Sequence, residues 1–215
     1  MKIRGIILCF SACIILLSAM ASVAQAQVAR PNISQKKRIP LEIRRLKGRD
    51  NRDTVETPSY STSVGRGKNR AKDWQMISVE YDSFPEWIDK LAVHFYVISM
   101  KKDEKTRKTV FSYYETLVRY VDIERDRGHL ARAFLRPTAL ERYGEVVGVA
   151  VEMSVDGELV AYKSDEIKKA GLPLKWWKNP KVLDSESVIA RKGYLLDREK
   201  SPWAFINIDD YEVIK

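Results

Sequence analysis

From Trp74 onward the sequence is written in period two, and this constrains the fold more than any other feature of the chain. Gln75, Ile77, Val79 and Tyr81 alternate with Trp74, Met76, Ser78 and Glu80, the spacing of a strand with one buried face. Residues 91–100 are apolar on both faces, as a central strand is. A charged turn follows at 101–108, then a long aromatic and β-branched run at 109–123. Val147, Val149, Val151, Met153 and Val155 alternate with smaller or polar residues, and Asp156-Gly157 separates them from the run at 158–162. Aspartate-glycine between alternating runs predicts a two-residue hairpin, because a type I′ turn needs positive φ at both central positions. Residues 188–196 and 203–208 read as the last strands.

Residues 130–135 satisfy both strand and helix spacing. Residues 164–170 read as a short helix: Ser164 can cap it, Asp165 and Glu166 suit its first turn, and Gly171 followed by Pro173 ends it. The pattern as a whole predicts a mainly β domain over 73–215, an antiparallel sandwich carrying a short helix.

The first 72 residues differ in kind. Lys2 and Arg4 precede an apolar block at 6–17, and Ala24-Gln25-Ala26 offers small residues at a cleavage site. That order marks residues 1–26 as a signal peptide, with the mature chain beginning at Gln27. An exported protein, in the periplasm, on the cell surface or secreted, is the expectation. Both cysteines, Cys9 and Cys13, fall within the signal. The mature chain therefore has neither disulfides nor thiol chemistry and stands on its hydrophobic core.

Between Gln27 and Lys72 there are 13 basic and 4 acidic residues, against 23 and 25 from Asp73 to Lys215. The basic character belongs to this arm. Apolar residues are sparse there, so residues 27–72 are expected to be a mostly disordered basic arm, with a short amphipathic turn at 41–46. Arg44, Arg45, Lys47, Arg66, Lys68 and Arg70 are its candidate contacts for a polyanion such as DNA, lipopolysaccharide or an acidic glycan. Tyr60 is its one aromatic residue, which gives little support to base stacking.

The catalytic inventory is thin. His94, inside an apolar run, reads as a core histidine. His129, after Arg125-Asp126-Arg127-Gly128, reads as solvent-exposed. No phosphate loop, dinucleotide fingerprint or nucleophile elbow occurs, and no cofactor or metal site is expected. Glu80, Asp82, Glu86 and Asp89 form a carboxylate cluster that reads first as a solvated connection. A glycosidase acid/base pair or a calcium site are the alternatives. Trp176-Trp177 is the best binding signal. In an extended segment the two rings point to opposite sides, so one can remain near the surface as an anchor. The alternative is that both pack beneath the short helix.

Trp74-Gln75-Met76-Ile77-Ser78-Val79, Leu91-Ala92-Val93-His94-Phe95-Tyr96 and Gly144-Glu145-Val146-Val147-Gly148-Val149-Ala150-Val151 carry a resemblance. Over residues 73–215 the chain resembles the secreted immunoglobulin-like proteins of gut mucin-degrading bacteria that are encoded beside type IV pilus-like assembly genes. The resemblance implies an Ig-like sandwich without the inter-sheet cysteine pair of antibody domains, and a role in envelope or pilus-associated interaction. It supplies no catalytic residues. The resulting expectation is a non-enzymatic, exported interaction module with a protein partner in the envelope. A polyanion-binding envelope protein acting through the arm is the first alternative, and a carbohydrate-active enzyme the second.

Overall fold

A computed structural model describes residues 39–58, 72–104 and 107–206, and the backbone of Glu212–Val213. Residues 1–26, expected to be a signal peptide, the expected cleavage before Gln27, and segments 27–38 and 59–71 of the expected arm lie outside the described residues. In chain order the strands are β1 (Leu41–Lys47), β2 (Thr54–Glu56), β3 (Asp73–Ser83), β4 (Trp87–Lys102), β5 (Thr109–Glu124), β6 (His129–Leu135), β7 (Glu145–Val155), β8 (Glu158–Glu166), β9 (Val188–Ala190), β10 (Leu195–Asp197) and β11 (Glu212–Val213). Helix α1 (Pro137–Tyr143) joins β6 to β7, and α2 (Pro180–Leu183) precedes β9.

Two sheets form. One runs β1-β3-β6-β10, with β2 also on β3; the other runs β11-β5-β4-β7-β8, with β9 also on β5. Among the described residues, only the β5–β9 pair is parallel. The alternation read from the sequence decides which side chains meet. Ile77, Val79 and Tyr81 of β3, Ala131, Ala133 and Leu135 of β6, and Val93, Phe95 and Val97 of β4 join Val149, Val151 and Met153 of β7 in one buried core. The mainly β sandwich is as expected. The Asp156-Gly157 turn has φ of 51° and 83°, both positive as a type I′ hairpin requires. Residues 130–135 resolve as strand.

The arm is shorter than its composition predicts, and the domain does not begin at Asp73. β1 pairs antiparallel with β3 from Leu41↔Ser83 to Lys47↔Ser78. Leu41 and Leu46 are buried in the core, with Ile43 packed against it. The register shifts between Ile43 and Arg45, so Arg44 is a bulged extra residue. The bulge leaves both arginines exposed and breaks the period-two signal, which is why residues 41–46 read as a turn. Beyond it, Gln75 Nε2 donates to the carbonyls of Gly48 (3.0 Å) and Asp50 (2.8 Å), fixing the chain into β2.

Two further expectations are corrected. Residues 164–166 continue β8, and only Lys168–Ala170 turns, as one 3-10 turn ending at Gly171 in the left-handed conformation. Pairing with β7 satisfies this backbone in a ladder, and that outweighs the local capping signals. Residues 203–206 form turns rather than a strand. Trp203 instead stacks on Phe134, 4.5 Å between centroids.

Candidate functional site

The six-stranded sheet has a second, outward face, and cross-strand register sets its rows. Leu117, His94, Glu152 and Tyr162 lie side by side across β5, β4, β7 and β8. The next row is Arg119, Ala92, Ser154 and Leu159. The rows on the other side, at Tyr96, Ala150, Ile98 and Tyr113, are covered by the segment between β8 and β9. That segment carries a 3-10 turn, Trp176–Lys178.

Trp176 and Trp177 are 0% and 1% exposed. The expectation that one ring faces a partner is therefore corrected; both pack, beneath their own segment and onto the sheet. Trp176 lies against Gly148, where an added Cβ would stand 3.4 Å from its ring. The Trp177 indole Nε1 donates to Glu152 Oε1 at 3.0 Å. Lys178 Nζ reaches Glu152 Oε2 at 2.7 Å, and the Tyr96 hydroxyl donates to the same oxygen at 3.2 Å. Burial works to raise the Glu152 pKa, but these three donors outweigh it and hold the carboxyl below its ordinary value. Glu152 is thus a fixed anion clasping the covering segment, saturated with donors and unsuited to accept a substrate proton.

The network continues to His94. His94 Nδ1 and the Tyr96 hydroxyl oxygen lie at hydrogen-bond distance, 2.8 Å, the ring tautomer setting which of them donates. His94 Nε2 faces the Glu115 carboxylate at 3.6 Å. Burial lowers the His94 pKa against the pull of Glu115 and Glu152, with Lys178 adding to the lowering. The imidazole is neutral at pH 7. The two histidines exchange the environments their sequence contexts suggest. His94 is about one third exposed at 32%, because its strand position faces outward. His129 is buried and stacked on Tyr81, 5.1 Å between centroids, with Nε2 2.9 Å from Ser83 Oγ.

Beyond the covering segment the face is open. Ala92 and Ser154 give a depression of about 540 Å³ a low floor, with Leu117, Arg119, His94 and Lys90 around it. Leu117, Leu159 and Tyr162 are 38%, 49% and 47% exposed. Lys175 Nζ sits 4.5 Å from the Tyr162 ring centroid. Apolar side chains rimmed by Lys90, Arg119 and Asp156 have the makeup of a protein-binding patch. Sequence reading missed it, since no local motif marks residues that only cross-strand register gathers. Trp87, a large exposed aromatic side chain at the start of β4, was also missed.

The carboxylates around Phe84-Pro85 do not form a pair. Asp82 is bound by Arg44, whose Nε donates at 2.8 Å and whose terminal nitrogen donates again, and by Gly128 N at 3.1 Å. The Arg44 bonds hold its pKa down. Glu80 lies on β3, Glu86 in the turn and Asp89 on β4. Among the described residues no group of three or more His, Cys, Asp or Glu could hold a metal ion. Of the basic candidates, Arg44 is committed to Asp82 and Arg45 and Lys47 are exposed on β1. Arg66, Lys68 and Arg70 lie outside the described residues. No helix among the described residues is long and apolar enough to cross a membrane.

A family model matches residues 45–215. The crystal structure of a protein from Akkermansia muciniphila superposes with a TM-score of 0.64, covering 81% of this chain and 93% of that one at 21% identity. At that identity the likeness speaks for the fold alone. No curated protein matches the sequence.

Proposed function

The chain belongs to the family whose model spans residues 45–215, and from that premise we propose that it is an exported, non-enzymatic interaction module of the bacterial envelope. In this reading it engages a protein partner through the open half of the outer face of the six-stranded sheet. The observation that carries it is the patch of Leu117, Leu159 and Tyr162, partly exposed around His94 on the hydrogen-bonded strands β5, β4, β7 and β8, the last of them an edge strand. Rigid presentation of apolar and aromatic side chains lowers the ordering cost of binding. The one carboxylate buried beside this patch, Glu152, is saturated by Trp177, Lys178 and Tyr96, which argues for a structural role over acid/base catalysis. The signal-like residues 1–26 support export. The resemblance to pilus-linked secreted proteins supports the envelope setting and a pilus-like assembly as the partner.

The test compares capture of partners from the native envelope by the wild-type protein, Leu117→Asp and Tyr162→Ala. Loss of one specific partner in both variants, at an unchanged thermal midpoint, is expected, since a desolvated anchor is worth about 2 kcal/mol or more. Unaltered capture would remove this face from the proposal. Hydrolysis of a glycan panel by the wild type would reject the non-enzymatic reading.

A further inference from the structure

A second recess, of about 580 Å³, opens where the end of β4 meets α1 and the residues after β9. Lys101, Lys102, Arg142, Arg191, Ser112 and Tyr143 line it. Among the described residues, none of these four cations forms an ion pair with a carboxylate. Unpaired charges gathered in one recess raise the local concentration of counter-ions.

Arg191 is held in place before any ligand arrives. Its backbone N–H donates to the Tyr113 carbonyl at 2.8 Å, and its Nε donates to Ser112 Oγ at 2.9 Å. Its guanidinium lies 3.6 Å from the Tyr143 ring centroid, and that of Arg142 lies 5.3 Å from the same ring. Lys101 Nζ donates to the Arg142 carbonyl at 3.1 Å. Ser99 Oγ donates to the Tyr143 carbonyl at 3.1 Å and ties the end of α1 to β4. Gly144 makes this approach possible: at φ 88°, an added Cβ would stand 2.1 Å from the Met100 carbonyl oxygen. After its bond to Tyr194, the positive field of Arg191 and Arg142 is what lowers the Tyr143 hydroxyl pKa.

We propose that this recess binds a doubly charged tetrahedral oxyanion, the phosphate monoester group of a small soluble ligand, held by the guanidinium groups of Arg191 and Arg142 with Lys101 and Lys102 completing the charge. Asp103 and Glu104 also line the recess, so its formal charge balance matches a dianion better than a single carboxylate. Arg191 covers one face of the Tyr143 ring and Tyr194 packs against it at a near-perpendicular angle, so this ring is already engaged rather than a ready stacking platform for a nucleic-acid base. Rigid arginine forks suit such oxyanions because they donate several charge-assisted bonds at once.

Calorimetric titration of the purified protein with inorganic sulfate, inorganic phosphate, glucose 6-sulfate, glucose 6-phosphate and acetate tests this. Saturable one-to-one binding of the dianions, inorganic sulfate, inorganic phosphate and glucose 6-phosphate, is expected, with the singly charged glucose 6-sulfate and acetate much weaker. Arg142→Gln and Lys102→Gln should each weaken it by roughly tenfold, the loss of one charge-assisted contact, at an unchanged thermal midpoint. Arg191→Lys keeps the charge but loses the fork, and should weaken binding too. Equal affinity for inorganic phosphate and glucose 6-phosphate would mean that the site reads the oxyanion alone; a tighter ester would mean that it also reads the carrier. No saturable binding, acetate or glucose 6-sulfate binding as tightly, or wild-type affinity in Arg142→Gln and Arg191→Lys would overturn the proposal. Capture through the outer sheet face is a separate measurement, so either proposal can fail without the other.

Discussion

The indole nitrogen of Trp177 donates to the carboxylate of Glu152, 3.0 Å away and 25 residues distant in sequence. This bond fastens the segment between β8 and β9 to the outer face of the sheet. The same carboxylate takes Lys178 and Tyr96, so one side chain closes half of the face and leaves the other half open.

Glu152→Ala removes the acceptor shared by three donors. It should cost about 2 to 3 kcal/mol, since buried donors are stranded while Lys178 can turn to water. Trp177→Phe loses the donor and, because phenyl is smaller than indole, also leaves a cavity, so it should cost about 2 to 4 kcal/mol. Denaturant midpoints measure both, and near-UV circular dichroism should show loosened tryptophans in Glu152→Ala. A silent Glu152→Ala would show that ring packing alone holds the segment.

Stability should fall on acidification in two windows. The His94 imidazole, facing Glu115, Glu152 and Lys178, is held below its ordinary 6.5 by burial. The unfolded chain therefore takes this proton first, and stability present above 6.5 is lost as pH falls through the lower folded value. Glu152, held below its ordinary 4.5, adds a second loss as pH falls through its own folded value. His94→Gln should flatten the first window and leave the second, as read by unfolding at a series of pH values. An unchanged profile in His94→Gln would assign the first loss to another group.

Gly157 and Gly144 both have positive φ, at 83° and 88°, but only one is crowded. A Cβ at Gly157 meets nothing within 4 Å, whereas at Gly144 it would collide with the Met100 backbone. Gly157→Ala should cost about 1 kcal/mol of backbone strain and Gly157→Val up to about 3 kcal/mol. Gly144→Ala adds overpacking to strain and should cost about 2 to 5 kcal/mol. The order of denaturant midpoints checks this; equal losses for the two alanine variants would contradict it.

A chain beginning at Lys72 lacks β1 and β2, exposes the core that Leu41 and Leu46 cover, and leaves β3 with an unpaired edge. It should unfold or aggregate at temperatures where a chain beginning at Ile39 remains folded. Equal melting temperatures for the two would show that β1 contributes nothing to the sandwich.

By itself the sequence determined what depends on neighbours in the chain. Period two placed β3 and β7, continuous apolar or β-branched and aromatic runs placed β4 and β5, and the Asp156-Gly157 pair placed the hairpin to β8, because such patterns and turn chemistry act within a few residues. Tertiary structure decided what depends on partners far along the chain. Leu41, Ile43 and Leu46 are too few to predict a strand, and the bulge at Arg44 breaks their alternation; β3, nearly forty residues on, supplies the ladder that makes them one. Ser164 and Asp165 carry a helix-start pattern that β7 overrides by pairing. Trp176 and Trp177 read as a possible surface anchor, yet Glu152 and Gly148 give both rings a place inside. The open face of Leu117, His94 and Tyr162, and the cations around Tyr143, exist only once strands and loops are in register, since no short-range pattern brings those side chains together.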